Sequence, residues 1–349
     1  MMIYLILGIA LANSFAVTAT AEDAAVAEGR QLTFSGQNHE LDGNDNFSRD
    51  GKYLCYDTRE TVGVGIDHGT TIEVLELATG REIILYKPDE IIAGDAPAPG
   101  VGAVSFSLAA PEVAFIHGPP VSEVPERGAY GKPNRNGGRV TLDGEIVERD
   151  GRWHMLKEGA YGFSWIDKRD VAVDRDTLPG AHRGGTHRHE YSRNGKRIGF
   201  TYDDFLLPDY GRTIGYMEAN TAAPSPVSHY FALLVSVVPK GTSQAGEVEK
   251  AHGDSWVDAA GTMRAFIGVV RNEDGKTFEE SLFVADIPLD VDISTADSGN
   301  AERYPSPPQG VHIRRLTHDW AGGIVRGAPD GKQIAYYGTD KKGIRQIFV

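Results

Sequence analysis

Five stretches of this chain repeat one pattern. They begin at Phe47 (FSRDGKYLCYDTR), Val104 (VSFSLAAPEVAFIHG), His189 (HEYSRNGKRIGFTY), Asp254 (DSWVDAAGTMRAFIGVV) and Val325 (VRGAPDGKQIAYYG). Each is a short apolar strand, a turn centred on D-G, N-G, A-G or a proline, and a second alternating strand. Glycine supplies the positive φ that such a turn needs, so each stretch predicts a hairpin. A third strand follows three of them, as TTIEVLELATG from Thr70, ESLFVADIP from Glu280 and IRQIFV from Ile344. A fourth appears as REIILYK from Arg81 and IRRLTHD from Ile313. Four antiparallel strands per repeated unit make the blade of a β-propeller, and helical periodicity is nearly absent. The expected fold is therefore an all-β propeller with about five visible blades.

The region from Gly118 to Arg183 is the least regular, and RGAYGKPNRNGGRV and DRDTLPGAHRGG read as long loops framing outer strands. YGFSWIDKRDVAVDR, from Tyr161, lies too close to the third unit to hold a full blade. RQLTF at Arg30 resembles RRLTH at Arg314 and is expected to be an outer strand that closes the ring. The alternative expectation is a ring cut short at the C-terminus, with an open strand edge.

The first 21 residues, MMIYLILGIALANSFAVTATA, form an apolar run ending in small residues, and Ala19-Thr20-Ala21 fits a signal-peptide cleavage site. The expectation is a signal peptide over 1–21 and an exported propeller domain over 22–349, in the periplasm or at the cell surface. The run is short for a membrane span, and no other segment is apolar enough for one. Cys55 is the only cysteine, so no intramolecular disulfide can form. The net charge of -14 argues against nucleic acid, whose phosphates need clustered Lys and Arg. It leaves room for an acidic sugar in a local basic pocket.

One repeat carries two histidines. Aligned on the turn glycine, His187 and His189 correspond to Gly43 and Asp45, to Gly253 and Ser255, and to Gly323 and Val325. The stretch leads into the strand expected to line the central channel. Residues i and i+2 of a strand share a face, so both imidazoles are expected to point the same way and to serve one ion or one substrate group. The competing expectation is a pair of channel-lining residues bonded to water or to backbone. As mouth residues they would bury little, so replacing both by alanine should leave the fold nearly intact.

The stretches LTFSGQNHELDGNDNFSRDGKYLCYDTR, VSFSLAAPEVAFIHGP, HRGGTHRHEYSRNGKRIGFTYDD, AFIGVVRNEDGKTFEESLFVADIP and PPQGVHIRRLTHD resemble an exported bacterial family, the domain of unknown function 3748. The resemblance implies a propeller of the Tol-associated repeat type. Members of that family continue past the point where this chain stops, which implies a ring of more blades, such as seven. The family is distantly similar to oligogalacturonate lyases, seven-bladed propellers that hold a divalent metal such as Mn and cleave pectin fragments. Part of their metal site resembles Gln-x-x-His-x-His. The matching positions here are Gly184, His187 and His189, so the glutamine is replaced.

That similarity implies β-elimination from an acidic oligosaccharide. A metal or an arginine would neutralise the uronate carboxylate, and a side-chain base would take the α-proton. The candidate metal ligands are His187, His189 and His252. The candidate catalytic residues are Arg183, Arg188 and Tyr191, and the candidate substrate ligands are His182, His39 and Asp45. The alternative is a non-catalytic propeller that binds a protein partner in the cell envelope. The propeller of a serine peptidase is a further alternative, disfavoured because the sequence carries no G-x-S-x-G elbow. A glycoside hydrolase would need two facing carboxylates, and no pair stands out.

Overall fold

The computed structural model describes residues 29–59, 65–328 and 330–349. The proposed signal segment and its cleavage site lie outside them. Residues 35–349 form one compact unit. Residues 30–34 carry no strand, so the expected closing strand at Arg30 is not formed. Phe34 is 80% exposed and Leu32 only partly covered, which leaves that short run little apolar burial to drive ladder formation.

Five sheets follow one another along the chain. The first contains β1 (Tyr53–Asp57), β2 (Ile72–Glu76) and β3 (Arg81–Tyr86). Residues 40–47 complete it on the inside through the bridges Glu40–Asp57 and Phe47–Leu54. The second contains β4 (Val101–Phe106), β5 (Glu112–His117) and β6 (Asn136–Thr141). The chain then makes a hairpin, β7 (Glu145–Arg149) and β8 (Arg152–Leu156), before adding β9 (Phe163–Trp165) as the outer strand of the second sheet. The third sheet is β10 (Gly185–Tyr191), β11 (Arg197–Asp203), β12 (Thr213–Ala219) and β13 (His229–Leu233). The fourth is β14 (Val248–Trp256), β15 (Met263–Arg271), β16 (Phe278–Asp286) and β17 (His312–Arg315). The fifth is β18 (Ala321–Gly327), β19 (Ile334–Thr339) and β20 (Arg345–Phe348). Only one four-residue α-helical turn and a few 3-10 turns interrupt the β structure among the described residues. These are the blades of a β-propeller.

One stretch differs from the sequence expectation: RGAYGKPNRNGGRV, read as a long loop, runs into β6, a ladder strand of the second blade. Within the region read as least regular, the β7–β8 hairpin joins the first blade through a parallel pairing of β8 with β3. The stretch at Tyr161 holds no blade of its own, as its closeness to the third unit implied; it supplies β9, the last strand of the second blade.

The blades that sit between two neighbours bury both faces, whereas the fifth leaves one face exposed, with Ile324, Tyr337 and Ile347 in solvent. Four apolar clusters fill the spaces between consecutive blades, from Val74 and Phe115 between the first pair to Ile267 and Val325 between the last. Strand β4 is accordingly buried at all six positions and β11 at six of seven. That explains the near-continuous apolar runs, since a strand with one wet face would alternate. Full burial of a residue such as Phe115 or Phe200 contributes about 1.5–3 kcal/mol.

The innermost strands share a second feature. Each of β4, β10, β14 and β18 shifts register against its partner, at Gly102/Ser105, His187/Glu190, His252/Ser255 and Gly322/Arg326. The bulged residue has positive φ in all four: Ala103 (53°), Arg188 (56°), Gly253 (66°) and Gly323 (80°). A bulge inserts one residue and re-aims the side chains around it.

Candidate functional site

The bulges correct the alignment of the repeats. By ladder register, His187 pairs with Thr201 and His252 with Ile267, each one residue before the bulge. His252 is thus the counterpart of His187, and Asp254 that of His189. Alignment on the turn glycine is displaced by one because the connections differ in length.

The inner strands all start on one face, where the loop between the second and third strands of the preceding blade meets them. Val101 N donates to Gly69 O at 3.0 Å, Thr186 N to Arg135 O at 3.3 Å, and Ala251 N to Arg212 O at 2.8 Å. This repeated contact delivers Arg135 and Arg212 to the mouth where His187 and His252 sit. Both arginines depress the His187 imidazole electrostatically, and Arg212 does the same to His252.

His187 is committed to a network. Its Nε2 lies 3.1 Å from Asp203 Oδ2, and its Nδ1 lies 2.8 Å from Thr201 Oγ1. The same Asp203 oxygen accepts from Arg212 Nε at 3.0 Å and Nη2 at 2.8 Å. Burial, reinforced by Arg212, holds the His187 pKa well below its ordinary value, so the ring is neutral at neutral pH. Burial alone would raise the Asp203 carboxyl, but the bonds from His187 and Arg212 hold it below the carboxylate range.

Other groups at this mouth are left open. The Arg135 guanidinium lies 4.7 Å over the Tyr130 ring. No carboxylate lies within 4.0 Å of Arg135 among the described residues, and burial lowers its pKa. Its buried Nε, the Tyr130 hydroxyl and His252 Nε2 have no hydrogen-bond partner. The nearest carboxylate to His252 Nε2 is Glu280, at 3.7 Å. Burial, with Lys250 assisting, holds His252 below its ordinary pKa. Buried polar atoms are ordinarily satisfied, so Arg135 and Tyr130, which lie against each other, and His252, beyond Arg212, keep hydrogen-bonding capacity open where the inner strands begin.

The remaining predicted residues lie elsewhere. His189 and His182 enclose Asp167 in a sealed cluster. Thr186 Oγ1 donates to Asp167 Oδ2 at 2.5 Å and lies 3.1 Å from His189 Nε2, while Asn136 Nδ2 donates to Asp167 Oδ1 at 2.8 Å. His182 Nε2 stands 3.5 Å from Asp167, and its Nδ1 2.9 Å from Gly184 O. His189 is 1% exposed and His187 4%, so neither is the lightly packed mouth residue expected from sequence. The two imidazoles share no partner, because the bulge at Arg188 separates them; the expected joint ligation is not formed. Among the described residues, no group of three or more His, Cys, Asp or Glu could hold a metal ion. The residues present do not fit the divalent ion that the lyase similarity implied.

Arg183 is fully buried, donating to Asp204 at 2.9 Å and to the Arg303 carbonyl at 2.8 Å, where it anchors a loop. Tyr191 is buried in the core of the third blade, and burial pushes its phenol well above the ordinary value, so it cannot serve as a base near neutral pH. Arg188 reaches across the axis to the Asp42 carbonyl at 3.1 Å. His39 packs at a tilt against Tyr56 and lies 3.3 Å from Glu82, in the first blade. Asp45 lies toward the turn end of the inner strands. Sequence reasoning missed Arg135, Tyr130 and Arg212. One signal was present: an arginine directly precedes the third strand in two successive blades, before Asn136 and before Thr213.

Fold and site together define a β-propeller chain with one arginine, Arg135, unpaired with any carboxylate among the described residues near the start of the inner strands. Residues 100–222 match the model of the family described as "Protein of unknown function (DUF3748)", so the resemblance to that family holds over those residues. The chain is similar to the Escherichia coli (strain K12) protein described as "Uncharacterized protein YidR", at 28% identity over 348 residues, covering 92% of this chain and 76% of that one. Among solved structures it is similar to the β-propeller domain of the Trilobed protease from Pyrococcus furiosus, at 10% identity and a TM-score of 0.32, covering 89% of this chain and 77% of that one. It is also similar to the tricorn protease, at 9% identity and a TM-score of 0.32, covering 77% of this chain and 22% of that one.

Proposed function

We propose that this propeller, exported to the periplasm or cell surface, binds the carboxylate of an acidic oligosaccharide at the axial mouth. The observation that carries the reading is Arg135, a guanidinium drawn partly out of water with no carboxylate beside it. A half-buried cation without a counter-charge is costly, and a uronate carboxylate supplies one in the bidentate geometry that arginine prefers. The Tyr130 hydroxyl and His252 Nε2 are then partners for the sugar hydroxyls. Arg212 is excluded from the task because Asp203 already neutralises it.

A second reading, β-elimination, rests on His252. A neutral imidazole with a free Nε2 can accept the proton α to the carboxylate. The C–H electron pair forms the new double bond, and the glycosidic oxygen leaves with its bonding pair. Arg135 stabilises the enolate-like charge that develops between these events. The non-catalytic alternative, a propeller binding a protein partner in the envelope, has no comparable observation behind it.

The test is titration calorimetry with trigalacturonate and, as the neutral control, maltotriose. Binding of the acidic sugar alone is expected, with a loss of about tenfold or more in Arg135→Gln, the magnitude of a charged hydrogen bond. Equal affinity in the variant, or none in the natural chain, would end the proposal. Ultraviolet absorbance of an unsaturated product, abolished in His252→Ala while sugar binding weakens by no more than about tenfold, the magnitude of one hydrogen bond, separates the lyase from the binding module. Fractionation of the cells tests export.

A further inference from the structure

The opposite ends of the inner strands, on the turn face, hold a cleft of two lobes. One lobe, of 680 Å³, is polar, with Asn44, Asp45 and Arg193 beside Phe47. Phe47 is 56% exposed at this lobe. The second lobe, of 560 Å³, runs between the first two blades and is walled by Tyr53, Phe106, Pro111 and Leu142. Arg49 and Leu108 border both lobes, so the two are continuous.

The polar lobe sets two guanidiniums against one carboxylate, Asp45, which Arg193 reaches only electrostatically. Among the described residues, neither Arg49 nor Arg193 has a carboxylate within 4.0 Å, and neither guanidinium makes a hydrogen bond. Asn44 Nδ2 donates to Ser255 Oγ at 3.3 Å, but its buried Oδ1 accepts from nothing. An occupant that satisfies all of this has an anionic head for the two arginines, a hydroxyl or N–H for Asn44, and an apolar body for the second lobe. We infer that this cleft is a binding site for an amphipathic anion, separate from the axial mouth. An acidic sugar does not fit, because its body is polar and would leave the apolar lobe wet. Leu108 and Arg49, at the junction, set the distance from head to body.

The probe is 8-anilinonaphthalene-1-sulfonate, an aromatic anion whose fluorescence rises on leaving water. Titrated into the full chain at neutral pH, it is expected to fill one saturable site. The double variant Arg49→Gln/Arg193→Gln should weaken it about tenfold or more, the magnitude of charged hydrogen bonds lost. Both side chains are exposed, so the melting temperature should not move; Arg193→Lys, which keeps the charge, should retain most of the affinity. Decanoate and 1-naphthoate, as competitors, distinguish an acyl from an aromatic body, and displacement by either supports the site. Trigalacturonate should not displace the probe, and Arg135→Gln should bind it normally, so this inference and the sugar proposal fail separately. No saturable binding, unchanged affinity in the folded double variant, or displacement by trigalacturonate would overturn it.

Discussion

Histidines 187, 189 and 252 have the same chemistry and three different situations. His189 fills a sealed space: a Cβ placed on Gly137 would stand 2.8 Å from its Nε2. Removing that ring opens a cavity and strands the Thr186–Asp167 pair without its imidazole. His189→Ala is therefore expected to cost about 2–4 kcal/mol, from the cavity and the broken network together. His252 lies at the mouth with a free Nε2, and His252→Ala is expected to cost less than about 1 kcal/mol. Urea denaturation of the two variants measures both; a His189→Ala protein as stable as the natural chain would show that the cluster is not structural. The histidine pair was legible as unusual from sequence. Its direction was not, because i and i+2 share a face only in a regular strand, and the residue between them, Arg188, has φ of 56°.

At the scale of the element, the bulge is what the repeats have in common beyond the hairpin. Two blades place glycine at the bulged position and two do not, so no residue motif announces it. Arg188 and Ala103 hold the left-handed conformation at a penalty of about 1 kcal/mol each, offset by the pairing on either side. Gly253 could not be replaced so easily. A Cβ there would meet the Gly323 carbonyl of the next blade's bulge at 2.3 Å, besides the strain of φ at 66°. Gly253→Ala is expected to destabilise by more than about 2 kcal/mol, whereas Ala103→Gly should be neutral or slightly stabilising. Thermal melts of the pair decide it, and a Gly253→Ala protein that melts normally would mean that the inner strands can slide. Hairpins were readable because their turn residues and apolar runs are local. The β7–β8 hairpin was not, because its place is set by pairing with β3, more than sixty residues earlier in the chain.

For the whole molecule, consecutive blades bury their shared faces, and several histidines are carried into those dry layers. Burial lowers His117, His189 and His229 to about 4, and lowers His187 well below its ordinary value. In the unfolded chain each titrates near its usual value of about 6.5. Between roughly pH 6.5 and 4 the unfolded state thus binds protons that the folded state refuses, so stability falls as pH falls through that window. Asp45 works in the other direction. Burial and the nearby Glu190 push it up to about 6, so the folded state holds an extra proton between about 4 and 6, and stability from this group rises as pH falls. One carboxyl opposes four imidazoles, each contributing on the order of 1–3 kcal/mol, so the net slope follows the histidines. The melting temperature is expected to drop steadily from pH 6.5 to 4.5, by less in His229→Gln, where one of these protons no longer counts. Conversely, Asp45→Asn should steepen the drop by removing the opposing group. A melting temperature that is flat or rises over this range would mean that the blade interfaces admit water to those rings, and that the packing described between neighbouring blades does not persist in solution.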